Sequence, residues 1–275
     1  MSSIEIVTIE TPSLGDRSYV AHDGSKAVVV DPQRDIDRVL DVLHANSLEV
    51  THVVETHVHN DYVTGGHALA TMLDATYCLN ADDEVRFDRV GLKDGDVLES
   101  GLMRVRALLT PGHTPTHLSY VLLDAEGNEV GVFTGGSMLF GTVGRPDLIG
   151  PHMTMELAQK QFHSVRRIAA EVDDRATVHP THGFGSHCSA TQATKQSSTV
   201  GAEKGDNPAL VKTEEEFLKE LIDGLTPYPT YYRHMAPANV LGPDAFDATP
   251  PQTFDLDTVA SLLAKGAWVI DLRNR

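Results

Sequence analysis

Three stretches of the chain carry side chains suited to binding a metal ion. The first is His57-Val58-His59-Asn60-Asp61, which follows the apolar run Thr51 to Glu55. Side chains alternate across an extended backbone, so residues at i and i+2 point the same way. His57, His59 and Asp61 are thereby expected to converge at a strand's carboxyl end. Imidazole and carboxylate are the usual ligands of zinc and of non-haem iron. A polar turn after a buried strand would use the same residue types, and a lone His-x-His does not separate the two. The second stretch is Thr110-Pro111-Gly112-His113-Thr114, where a rigid Pro-Gly turn at a strand end can hold one ligand firmly. The third is His179-Pro180-Thr181-His182-Gly183, after a short strand.

The elements that must position these stretches follow from periodicity. Strands are expected at Ile4–Glu10, Ser18–Ala21 and Ala27–Asp31, with His22-Asp23-Gly24-Ser25 as a hairpin turn. Residues 35–45 carry Ile36, Val39, Leu40 and Leu43 at helical spacing, and Thr51–Glu55 is the strand feeding the histidines. Gly65-Gly66 opens a helix over 68–73. Strands follow at 75–79 and 103–109, with a charged, turn-rich segment over 82–101 between them. Residues 119–123 and 130–134 form a hairpin leading into the glycine-rich loop from Gly135 to Gly150. Residues 154–171 form a long helix capped by Thr154, 176–178 a short strand, 192–204 a polar surface loop, and 214–225 a helix capped by Thr213. This order predicts an α/β (α+β) fold of two sheets covered by helices on their outer faces.

Bulk properties narrow the partners. Of 275 residues, 39 are acidic and 22 basic, a net charge of −17. An acidic surface repels nucleic acid and anionic membranes, so neither is an expected partner. The chain has two cysteines, Cys78 and Cys188, in no metal-ligand spacing, which is the usage of a reducing compartment. The first residues alternate Ile4, Ile6 and Ile9 with polar ones and lack a signal-peptide core. The expectation is a soluble cytoplasmic protein. From Pro227 to Pro251 the composition turns to Pro, Tyr and small residues and reads as a linker. Beyond it, residues 256–265 are helix-like and Trp268-Val269-Ile270-Asp271 is an apolar strand.

These motifs, in this order, resemble the metallo-β-lactamase superfamily. The family's His-x-His-x-Asp-His stands here as His57 to Tyr62, its Gly-His-Thr turn as Gly112-His113-Thr114, its Thr-Gly-Asp as Thr134-Gly135-Gly136, and its late histidine as His182. Within the superfamily, Gly144-Arg145-Pro146-Asp147-Leu148, the run from Thr181 to Cys188, Asn207-Pro208, Tyr231 to Asn239, and the strand from Val269 to Arg273 are similar to persulfide dioxygenases fused to rhodanese domains. The resemblance implies a four-layer αββα sandwich over residues 1–226, a linker over 227–251, and the beginning of a rhodanese-like domain over 252–275. It implies a homo-oligomer that oxidises glutathione persulfide, or a related small thiol species, with O2 at a mononuclear site. A mononuclear zinc hydrolase of thioesters (glyoxalase II-like) is the first alternative. A degenerate module that binds persulfide or metal for a sulfurtransferase domain is the second.

Two positions depart from the family pattern. Tyr62 stands where a second-site histidine is expected, and Gly136 where a metal-binding carboxylate is expected. A binuclear centre is therefore not expected, because Asp61 and His182 alone are too few to hold a second ion. The remaining set implies one divalent metal, Fe(II) or Zn(II), on His57, His59 and His113. Asp61 is a ligand, or a hydrogen-bonding partner that orients one. Tyr62 is a candidate for contacting substrate or a charged intermediate, with a packed tyrosine as the plainer alternative. Arg145 is a candidate clamp for a substrate carboxylate, or a structural partner of Asp147. His182 is a substrate contact or proton carrier. Cys188 is a possible persulfide carrier or a buried structural thiol. His52, His67, His117, His179 and His187 have no motif role.

Overall fold

The computed structural model describes residues 4–183, 185–191, 195–244 and 249–271. The amino-terminal half runs β1 (Glu5–Thr11), β2 (Asp16–His22), β3 (Lys26–Val30), α1 (Asp37–Asn46), β4 (Glu49–Val54), α2 (Gly66–Leu73), β5 (Thr76–Asn80) and β6 (Val90–Leu92). Its strands form one sheet in sequence order. β1 to β3 are antiparallel and β3 to β6 parallel. The parallel half needs crossovers, and α1 and α2 supply them.

The second half runs β7 (Val97–Ser100), β8 (Met103–Leu109), β9 (Leu118–Leu123), β10 (Glu129–Gly135), the small hairpin β11 (Met138–Leu139) and β12 (Thr142–Val143), α3 (Thr154–Glu171) and β13 (Thr177–Pro180). Here the sheet order is β13-β10-β9-β8-β7. Four helices follow within the same unit: α4 (Val200–Asp206), α5 (Pro208–Val211), α6 (Glu214–Asp223) and α7 (Tyr232–Leu241).

Period-2 alternation builds the layers. Leu118, Tyr120 and Leu122 of β9 pack with Tyr19, Val28, Val30 and Val54 between the two sheets. Val121, one residue out of phase, packs with Phe162, Val165, Ile168 and Phe217 of α3 and α6 on the other side. The result is the expected αββα order. β3, β4, β8, β10 and β13 all end along one edge, where the three histidine stretches leave them.

Several elements differ from expectation. The segment 82–101 contains two short edge strands, β6 and β7, each too brief to show periodicity. The expected surface loop at 192–204 becomes helix α4 from Val200, because Thr199 Oγ1 accepts from Ala202 N–H; Gln192 to Thr194 lie outside the described residues. Thr154 does not cap α3. The N-cap is Met153, and Thr154 Oγ1 donates back to the Gly150 carbonyl. Within the expected linker, α7 forms and buries Tyr232 and Asn239. The second unit, Phe246–Arg275, contains helix α8 (Leu256–Ala264), capped by Asp255. Residues 268–271 form no strand. No partner strand accompanies them among the described residues, and Leu272 and Arg273 of that expectation lie outside those residues. No rhodanese domain is formed by the described residues. No helix among them is long and apolar enough to cross a membrane.

Helix α3 presses directly on the edge that carries the histidines. Gln161 donates to the carbonyls of Gly136 and Ser137 (3.1 and 2.6 Å), and Ser164 to the carbonyl of Pro111 (2.6 Å). Gly112 has φ +148°, and a Cβ there would stand 2.5 Å from Gln161 Cα. Both the backbone conformation and the space demand glycine. Gly112→Ala is expected to lose about 2–4 kcal/mol of stability in a denaturant melt. Parental stability would show that the turn and α3 do not meet as described.

Candidate metal centre

His57, His59, His113, His117 and His182 are all buried at the strand ends. Their hydrogen bonds fix most of the ring orientations. Thr56 Oγ1 donates to Asp31 Oδ2 (2.7 Å), so it accepts from His57 Nδ1–H at 2.9 Å. The His57 Nε2 lone pair then faces the cluster. His113 Nδ1–H donates to the Arg145 carbonyl at 2.8 Å, and its Nε2 is buried with no partner. His182 Nδ1–H donates to Asp16 Oδ1 at 3.0 Å and faces Asp61 Oδ2 at 3.2 Å. Its Nε2 lies 3.5 Å from His57 Nε2. His59 turns Nε2 toward Asp31, Glu55 (3.2 Å each) and the Tyr62 hydroxyl (2.9 Å), leaving Nδ1 buried without a partner.

The donor set fits a divalent ion. Two imidazole nitrogens on one tetrahedral zinc, at ~2.0–2.1 Å each, stand roughly 3.4 Å apart. His57 and His182 already have that spacing. Buried polar atoms in native proteins are almost always satisfied. Here His113 Nε2, His59 Nδ1 and Asp61 Oδ1 have no hydrogen-bond partner in the protein, and Asp61 Oδ2 has only its ion pair with His182.

Electrostatics point the same way. Burial, then the neighbouring imidazoles, holds His57 and His113 well below the usual histidine range, so both stay neutral donors. Burial opposes protonation of His59 and His182 as well. The carboxylates of Asp31 and Glu55 nevertheless raise His59 to about 10, and those of Asp61 and Asp16 raise His182 to about 9. Burial, then the charge of Asp61, pushes Asp16 up to about 7. Asp61 itself is lowered: burial opposes its ionisation, but the facing His182 more than offsets it. A bound cation would replace the protons on these rings, because a ligating histidine must be neutral.

The sequence-derived candidates fall into place unevenly. His57 touches both His59 and His113, with ring centroids 4.1 and 4.7 Å apart. Neither His57 nor His59 shares a close donor grouping with His113, and each of the three shares one with His182. His182 thus sits at the centre of the cluster rather than at its substrate-facing margin. Asp61 groups with Asp16 and His182. Tyr62 is buried behind His59, its ring stacked on the imidazole at 4.3 Å, which places it as a support rather than a catalytic group.

Of the two readings of Arg145, the geometry fits the structural pair with Asp147. Its guanidinium donates to both oxygens of Asp147 (2.7 and 2.8 Å) and to the carbonyls of His187 and Thr226, and lies over the Tyr228 ring. With those donors committed inside the protein, it clamps the loop, not a substrate carboxylate. Gly136 supplies no side chain. A Cβ there would lie 2.2 Å from His113 Cδ2, so the His113 ring fills the space beside it.

Sequence reasoning missed Asp16, Asp31, Glu55, His117 and Asn239. Asp31 and Glu55 follow the buried runs Val28–Val30 and Val53–Val54; a charged residue directly after a fully apolar strand is the available signal. His117 stacks on His57 at 5.1 Å, and its Nε2 accepts from Gly136 N–H. Asn239 of α7 donates to the carbonyls of His59 and Tyr62 and accepts from Thr64 N–H, 2.9 Å each.

Comparison with known proteins agrees with this geometry. No protein-family model matches the chain. A probable polyketide biosynthesis zinc-dependent hydrolase of Bacillus velezensis is 32% identical over 174 residues, covering 61% of this chain and 72% of that protein. The mitochondrial persulfide dioxygenase of Bos taurus is 28% identical over 234 residues, covering 82% of this chain and 81% of that one. The crystal structure of a metallo-β-lactamase from Staphylococcus aureus superposes with a TM-score of 0.82 at 27% identity, covering 90% of this chain and 75% of that one. Fold, buried donor cluster and relatives agree: the chain belongs to the metallo-β-lactamase superfamily and is a metal-dependent enzyme of that fold.

Proposed function

We propose that the chain oxidises the persulfide of a small thiol, such as glutathione persulfide, with O2 at a single iron(II) ion. The observation that carries this reading is the similarity to a persulfide dioxygenase over 82% of the chain and 81% of that protein. With no carboxylate at Gly136 and the His113 ring filling the space, the donors suit one ion rather than two, as this reading requires. His57, His59, His113 and His182 would hold the ion between them, with Asp61 alongside. When bound, the ion supplies an electron source and open positions for the substrates. The protein's own part is orientation. Thr56, the Arg145 carbonyl and Asp16 each fix one ring through its Nδ1–H, so that Nε2 faces inward. The buried walls keep bulk water from the cluster.

A second reading, a mononuclear zinc hydrolase of thioesters, is favoured by the nitrogen-rich donor set and by the 32%-identical relative described as a zinc-dependent hydrolase. Metal analysis of freshly purified protein separates the two. Iron together with O2 uptake on adding glutathione persulfide is expected. Zinc with turnover of an acyl-glutathione, and no O2 uptake by the iron-loaded protein, would replace the first reading with the second.

Two further outcomes follow from the ligand geometry. Stripping the ion with a chelator should lower stability by about 2.7 kcal/mol relative to protein held at roughly 100 times the metal's Kd. Restoring the family carboxylate, Gly136→Asp, should not repair the site. The new Cβ displaces His113, so metal content should fall and stability drop by about 1–3 kcal/mol. A Gly136→Asp protein that binds the ion more tightly would contradict the packing described here.

A further inference from the structure

The two cysteines occupy different environments. Cys78 lies on β5 among apolar side chains of the inter-sheet core. Cys188 is equally buried but belongs to neither hydrophobic cluster. Its sulfur groups with one ring nitrogen of each of His113 and His182, all within 4.8 Å of one another, and lies 3.7 Å from the Tyr232 hydroxyl. Ligand atoms around a tetrahedral zinc, with Zn–N ~2.1 and Zn–S ~2.3 Å, stand about 3.4–3.8 Å apart, so a small closure brings this trio onto one ion.

The backbone holds the sulfur and one of these imidazoles in register. Arg145 N–H donates to the Cys188 carbonyl at 2.9 Å, while the Arg145 carbonyl accepts from His113 Nδ1–H at 2.8 Å. Cys188 N–H is held in turn by Ser186 Oγ at 3.2 Å. One residue, itself locked by Asp147, therefore positions both groups. His113 Nε2 is fully buried and has no partner in the protein. That atom independently marks the spot as one awaiting a ligand.

We propose that Cys188 is a ligand of the metal ion, binding as a thiolate beside His113 and His182 and supplying the negative charge that position 136 lacks. The inference rests on the metal-centre reading above. The thiol gives up its proton to solvent as the ion binds, and the sulfur–metal bond forms with no change of oxidation state. Tyr232 can then donate its hydroxyl hydrogen to the sulfur. Imidazole with thiolate is a donor set that zinc and iron(II) both accept.

Cobalt(II) substitution of the full chain tests this without reference to activity. The parent protein is expected to take up cobalt with a near-ultraviolet thiolate-to-cobalt charge-transfer band. Cys188→Ser should lose that band, and Cys78→Ser should keep it. Cobalt affinity of Cys188→Ser should fall by more than roughly 100-fold, since loss of an outer partner alone costs 10–100-fold. Cobalt bound without the band in the parent protein overturns Cys188 ligation and leaves the metal centre standing. No cobalt binding by the parent overturns both. If Cys188→Ser fails to fold, the parent and Cys78→Ser spectra still decide, because Cys188 is then the sole remaining thiol.

Discussion

The site depends first on one buried carboxylate. Asp31 ends the first parallel strand with φ +49°, a conformation that aspartate tolerates better than most residues. It accepts from Thr56 N–H and Thr56 Oγ1 (2.7 Å each), from Thr181 Oγ1, and from His59 Nε2 at 3.2 Å. Those donors come from both halves of the molecule. A carboxylate without water is costly unless its lone pairs are filled. Burial opposes its ionisation, yet His59, Thr181 and Thr56 hold it below the usual carboxylate range. The same contacts select ring tautomers. Through Thr56, Asp31 keeps the proton of His57 on Nδ1; directly, it keeps that of His59 on Nε2. The two metal-facing nitrogens, Nε2 of His57 and Nδ1 of His59, are thereby set by one group.

Charge balance explains why so many ionisable groups share one dry space. Asp16, Asp31, Glu55 and Asp61 are all buried within reach of His59 or His182. Without a metal, protons on those two rings compensate the carboxylates. With a dication, the rings can release them and the compensation passes to the ion.

The strand-end placement of His57, His59 and His113 was legible in the sequence, because alternation along an extended chain and a Pro-Gly turn are local signals. The two-sheet sandwich was legible for the same reason: β9 alternates Leu118, Tyr120, Leu122 against Val121, and each set found its own core. What stayed hidden depends on distant pairing. Asp16 meets His182 across 166 positions, and nothing near either residue announces the other. For Tyr62 the sequence leaves a substrate contact and a packed tyrosine open, because it shows the position but not the stacking on His59. For Arg145 the pairing with Asp147 two residues on is legible, whereas its partners at His187 and Thr226 are 42 and 81 residues away and are not. Helix α4 is hidden by its polar surroundings, although it carries a Thr199 cap and buries Val200 and Glu203.

The least legible part bears most on where the functional unit ends. A boundary at residue 226 follows composition, since prolines and tyrosines begin there. Yet α7 sends the Asn239 amide into the loop that carries the first histidine pair, where it satisfies two carbonyls and one N–H that no strand could reach. Unpaired, those buried groups would each cost about 1–3 kcal/mol. The same helix brings Tyr232 to Cys188. Proline-rich composition measures how a segment resists regular structure, not whether its side chains are needed elsewhere. The metal loop is held in shape from a stretch that local sequence marks as a spacer, so the catalytic unit reaches at least to residue 239.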